Sequence, residues 1–66
     1  MNRIAEIRHK NGTRQSELAH LLGMSKANYS KKENGLVKFT VEEAFRISKY
    51  FEMPIEQIFD FNETEA

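Results

Sequence analysis

The sequence predicts an all-α fold, a compact bundle of five short helices, and three observations carry that prediction. Apolar residues recur at helical spacing in successive segments: Ile4, Ala5 and Ile7; Leu18, Ala19, Leu21 and Leu22; Val41, Ala44, Phe45 and Phe51, with Ser48 among them; and Ile55, Ile58 and Phe59. Between them stand residues that stop helices, Asn11-Gly12, Gly23 and Asn34-Gly35, which tolerate left-handed backbone. Residues that start helices follow, Ser25 as an N-cap and Thr40-Val-Glu-Glu43 as a capping box. The connections left over are two to five residues long, as antiparallel helix neighbours require.

Taken in order, the first helix runs from Asn2 to about Lys10, with Arg3, Glu6, Arg8 and Lys10 toward water. The second covers about residues 15–22, and Thr13 is a better cap for it chemically than Arg14. The third covers about residues 26–34, with Met24, Ala27 and Tyr29 inward. Leu36 to Phe39 is a loop, and the fourth helix runs from Thr40 to about Phe51. Pro54 suits the first turn of a fifth helix carrying Ile55, Ile58 and Phe59. Residues 62–66 are polar and acidic and read as a flexible tail, so residues 1–66 form one domain.

The chain has 66 residues, no cysteine and five phenylalanines. Disulfides, thiolate nucleophiles and cysteine metal sites are excluded together. A chain of this size buries only about 60% of its unfolded surface, and unstapled domains commonly gain stability by self-association. No apolar run approaches the roughly 20 residues of a membrane span, and the N-terminus is charged rather than signal-like, so the cytoplasm is expected. Net charge is zero, but its distribution is uneven. Residues 1–38 carry eight Lys/Arg and three acids, and residues 39–66 carry two and seven, giving +5 and −5. That asymmetry points a basic face at a polyanion.

The second and third helices are separated by so tight a turn that they must cross steeply, and Ala19 is small enough to let them approach. This is helix-turn-helix geometry, in which the second helix of the pair enters the DNA major groove. Its solvent side presents Lys26, Ala27, Asn28, Ser30 and Lys31. Asn28 matches adenine, Lys26 and Lys31 match the O6/N7 edge of guanine, and Ala27 suits a thymine methyl. Gln15 stands at the start of the preceding helix, where unpartnered amides favour an anion.

The run of Gln15, Leu18, Ala19, Leu22, Gly23, Ser25, Glu33, Asn34 and Gly35, followed by Thr40, Glu43, Ala44, Ile47, Pro54, Ile55, Ile58 and Phe59, resembles the Cro/phage-repressor helix-turn-helix regulators. The resemblance spans about residues 2–59 and implies a lambda-repressor-like DNA-binding domain. It implies base contacts at Lys26, Ala27, Asn28 and Lys31, and a phosphate contact at Gln15. Arg14, Ser25, Ser30, Asn34 and Lys38 are further phosphate candidates. Three positions depart from the family pattern. Arg14 stands where a Ser/Thr cap is usual. Lys32 replaces an apolar residue and is expected to lay its stem on the core with its ammonium in water. Phe39 takes the place of a proline, so an aromatic anchors the loop.

The partner implied is double-stranded DNA, read by a homodimer on an inverted repeat, with Ile58, Phe59 and Phe61 as the expected dimer interface. The function that follows is transcriptional repression in a bacterial or phage setting. A rival is an antitoxin-like module that binds DNA together with a protein partner. No enzyme is indicated, because nothing places the two histidines and one aspartate together. Glu17 and His20 share a helix face, but an isolated pair is an exposed helix pair before it is a metal site. No cofactor, metal or small-molecule ligand is indicated.

Overall fold

Four α-helices pack around one core in the computed structural model, which describes residues 2–65. They are α1 (Ile4–Lys10), α2 (Gln15–Leu22), α3 (Lys26–Glu33) and α4 (Val41–Phe51). Two 3₁₀ turns follow, Ile55–Gln57 and Phe61–Glu63. A two-residue strand β1 (Phe39–Thr40) pairs in parallel with β2 (Thr64–Glu65), Phe39 opposite Thr64 and Thr40 opposite Glu65. The chain is thus mostly helical, but the expected fifth helix is a correction: Pro54 opens a single 3₁₀ turn, too short to propagate. Residues 62–65 of the expected tail lie in the following elements. Residues 61–65 form a turn and a strand that close over β1.

All four helices stop the same way. One or two residues after each end the chain turns left-handed, at Gly12, Gly23, Gly35 and Glu52, so that the next amide finds a carbonyl five residues earlier: Thr13 to Arg8, Met24 to Ala19, Leu36 to Lys31 and Met53 to Ser48, at 2.9–3.1 Å. Gly23 takes this bend at φ 69°, where an L side chain would be strained. α4 bends at Glu52 with φ 55°, without glycine. Its closure is supported by the Ser48 hydroxyl, which donates to the Met53 carbonyl.

The starts differ. Ser25 Oγ accepts from the Asn28 amide at 3.1 Å, capping α3. Thr40 and Glu43 form the full reciprocal box on α4, 3.0 and 2.9 Å. At α2 the cap is Arg14, not Thr13. Only half a box forms there, with the Glu17 carboxylate accepting from the Arg14 amide at 3.2 Å, because a guanidinium has no acceptor to offer. Thr13 is buried instead, and its carbonyl accepts from Arg8.

The core comprises Ile4, Ile7, Leu18, Ala19, Tyr29, Phe39, Ala44, Ile47, Ile58 and Phe59. Phe39 anchors its loop as expected, edge-on to Tyr29 at 6.1 Å and to Phe59 at 5.1 Å. Arg3 ties α1 to the C-terminal segment through the Ile58 and Gln57 carbonyls, at 3.0 and 3.1 Å. On α4 the inward face is Ala44, Ile47 and Ser48, and Val41 and Phe45, at helical spacing in the same stretch, are exposed. Ala27 is likewise exposed rather than inward.

Two of the residues expected at a dimer interface, Ile58 and Phe59, lie in the core of the single copy. Ile58 is 1% exposed and Phe59 5%, so both side chains are spent on the core of one copy. The side chain of the third, Phe61, lies outside the described residues.

Candidate nucleic-acid interface

α2 and α3 form the closest packed pair of helices, with Ala19 buried between them and Gly23 turning the chain. At about 100° per residue, burying Tyr29 and half-burying Lys32 and Glu33 fixes which side of α3 faces out. Ala27 and Lys31 lie centrally on that outer face, flanked by Asn28 and by Ser30, and Lys26 stands at its N-terminal edge. Lys26, Ala27, Asn28 and Lys31 are all exposed.

One carboxylate organises the elements around this face. Glu33, at the end of α3, accepts two bonds from Arg8 of α1, 3.0 Å from Nε and 2.9 Å from Nη2, in a fork-on-fork pair. It also accepts from Gln15 Nε2, at the start of α2, at 3.1 Å. Arg8 Nη1 donates to the Thr13 carbonyl at 3.1 Å, fixing the turn between α1 and α2. Three helices and one turn thus meet at a pair whose side chains are 11% and 5% exposed. Burial would raise the Glu33 pKa, but the Arg8 and Gln15 hydrogen bonds outweigh it and hold the carboxyl below its usual range. The hydrogen bond to Glu33 raises the Arg8 pKa against the same burial. The Tyr29 hydroxyl is buried beside the pair, and burial first, then the neighbouring Glu33 carboxylate, push its pKa up.

Sequence reasoning placed Arg8 in water and missed this centre. The signal was present, since Arg8 shares the stripe of Ile4 and Ile7 at i+4 and a charge on an apolar stripe needs a partner.

Lys32 is corrected too. Its ammonium is not in water: it donates to Glu43 Oε1 at 2.7 Å and to the Lys38 carbonyl at 3.3 Å, in a pair whose side chains are 14% and 19% exposed. Since Glu43 Oε1 also accepts the Thr40 amide, one carboxylate both caps α4 and pins α3. Burial would raise the Glu43 pKa, and the Lys32 and Thr40 contacts hold it below the usual range.

The expected phosphate contacts fall into separate groups. Arg14 and Gln15 border a shallow cleft with Arg8, Ser16 and Lys26 at the N-terminal ends of α2 and α3. Ser16 was not foreseen there. Arg8 is spent on Glu33, so Arg14 and Lys26 are the exposed cations beside the first turn of α2, and they suit this cleft to an oxyanion. Asn34 and Lys38 border a different groove, beside Lys32, Gly35 and Val37. Ser25 Oγ is engaged in capping, and Ser30 Oγ accepts from Asn34 Nδ2 at 3.4 Å. Among the described residues no cluster of three potential metal ligands occurs, and no helix is long and apolar enough to cross a membrane.

A search of curated proteins gives no match. A family model described as helix-turn-helix matches residues 4–58, which takes in all four helices and the first 3₁₀ turn. Families of this type are DNA-binding regulatory domains, generally without enzymatic activity. The chain belongs to the Cro/C1-type helix-turn-helix family of DNA-binding transcription regulators.

Proposed function

We propose that this regulator is a sequence-specific repressor that occupies an inverted-repeat operator as a homodimer, with α3 of each copy in the major groove. The observation that supports this reading is the continuity between the exposed face of α3 and the basic cleft, which share Lys26. Bases and phosphates of one half-site would be met side by side. In this reading Asn28 turns its amide to adenine, Lys26 and Lys31 turn their ammoniums to guanine O6/N7, and Ala27 meets a thymine methyl. Arg14, Gln15 and the first-turn amides of α2 take one phosphate. Ser25, Ser30, Asn34 and Lys38 take others, fixing register without reading sequence.

Glu33 draws one N–H of Gln15 and leaves the second for the phosphate, so the amide is aimed before DNA arrives. A single short helix reads few base pairs, and two copies on a palindrome supply the missing contacts. Repression follows from covering a promoter in the cytoplasm of a bacterial host.

The test is titration of two duplexes, one selected by the protein and one of random sequence. Asn28→Ala and Lys31→Ala should each weaken the selected duplex by about 1–3 kcal/mol and leave the random one nearly unchanged. Gln15→Ala should weaken both alike. A loss confined to the selected duplex for Gln15→Ala, or equal losses on both duplexes for Lys31→Ala, would exchange the roles assigned here.

A further inference from the structure

The segment after α4 folds back along it, with the Ile55–Gln57 turn and β2 both packed on that helix. Between them lies a groove of about 480 Å³ whose apolar lining is Val41, Ile55 and Phe59. Phe59 is buried and forms the floor, Ile55 is half-buried, and Val41 is 50% exposed, so the groove stands open to water. Three carboxylates rim it, Glu56, Asp60 and Glu65, all of them exposed. Elsewhere the carboxylates of this chain hold cations: Glu6 meets Arg3, Glu33 meets Arg8, Glu42 meets Arg46 and Glu43 meets Lys32. The three rim acids enter no ion pair among the described residues, and no Lys or Arg is among the groove's described lining residues.

Like charges around one apolar opening repel one another and give it a negative potential, which attracts cations and turns away a polyanion. A bare cation would answer the rim and leave the floor wet. An apolar side chain alone would cover the floor and strip water from the acids. Both needs are met by a segment that carries Lys or Arg beside a large apolar side chain. A small organic cation is served less well, because small-ligand pockets bury most of the ligand's surface and this groove has an open wall at Val41. We propose that the groove docks a cationic segment of another protein, with an apolar side chain seated on Ile55 and Phe59 and basic side chains at Glu56, Asp60 and Glu65. The groove shares no residue with α2, α3 or the oxyanion cleft, so occupying one surface uses nothing of the other. The inference goes beyond the DNA reading and does not depend on it.

The probe is a displayed library of random dodecapeptides, selected on the full chain without DNA. The enriched peptide is then synthesised and titrated by nuclear magnetic resonance. Selection should enrich sequences that join Lys or Arg to a large apolar residue. The peptide should shift the amide signals of Val41, Ile55, Glu56 and Glu65, and should bind more weakly as salt rises. Glu56→Gln/Glu65→Gln should weaken binding at least tenfold. Glu6→Gln/Glu42→Gln removes the same charge from exposed acids elsewhere and should leave binding nearly unchanged. All four acids are exposed, so both double variants should keep the helical circular dichroism of the wild type. No enrichment of basic sequences, equal affinity for Glu56→Gln/Glu65→Gln and the wild type, or equal losses in the two double variants would each overturn the site. Spermidine displacing the peptide at equal concentration would overturn it in favour of a small cation. The same amide shifts on concentrating the chain alone would overturn it in favour of a second copy. Because no DNA enters the titration, failure here leaves the operator reading standing.

Discussion

At the scale of single residues, the buried Arg8–Glu33 pair decides most. Two charges out of water are tolerated because the geometry is bidentate and Gln15 donates a third hydrogen bond to the carboxylate. Removing one partner leaves the other stranded, so Arg8→Ala should cost about 3 kcal/mol of stability in urea unfolding, more than any exposed cation of this chain. The pair also sets a pH dependence. Glu33 and Glu43 have folded-state pKa values below the usual 4.5, so the unfolded chain takes up protons first. Their stabilisation is complete above about pH 4.5 and is lost as pH falls through the lower folded-state values. Melting temperature should therefore fall from about pH 5 to about pH 3, and Glu33→Gln, already less stable, should lose less over that interval. A Glu33→Gln variant as acid-sensitive as the wild type would show that Glu33 does not titrate as described. Local chemistry of this kind is legible in sequence when both partners are near, as at Ser25 or Thr40–Glu43. Arg8 and Glu33 are twenty-five residues apart, and only the fold brings them together.

At the scale of elements, the stops of the helices and the starts of α3 and α4 are readable because caps and left-handed stops act within a few residues. What periodicity could not separate was the two edges of the apolar stripe on α4. Val41 lies three residues before Ala44 and Phe45 four after Val41, yet the bundle covers the side of Ala44, Ile47 and Ser48, with Phe51 packed against it, and leaves Val41 and Phe45 exposed. The parallel pairing of β1 with β2 was hidden for another reason, since two residues per strand carry no period at all. The departure at Lys32 now has a physical account. Glu43 holds the Lys32 ammonium while capping α4, so α3 is oriented by a charge where relatives use an apolar contact. The two partners should then behave unequally. Glu43→Ala loses the cap and strands Lys32, and should cost about 2 kcal/mol. Lys32→Met leaves the cap in place and restores an apolar contact, and should cost less than about 1 kcal/mol. Equal costs for the two variants would show that the cap contributes nothing.

At the scale of the whole molecule, the segregation of charge is the feature that sequence displayed and the fold organises. Arg14, Lys26, Lys31 and Lys38 are exposed around α3, while the acids of residues 39–66 ring the far groove at Glu56, Asp60 and Glu65. A neutral chain can therefore present a cationic face to DNA. Affinity should fall steeply with salt, and Arg14→Ala should reduce the slope of log K against log salt by about one per copy, or about two per dimer. An unchanged slope would remove Arg14 from the phosphate contacts. The central claim is that two copies place two α3 helices on one face of the duplex, and selection from a pool of random duplexes at about 0.15 M salt tests it most directly. An inverted repeat with half-site centres about one helical turn, roughly 34–36 Å, apart should be enriched. Folded protein that enriches no sequence, or only an unpaired half-site, would contradict it.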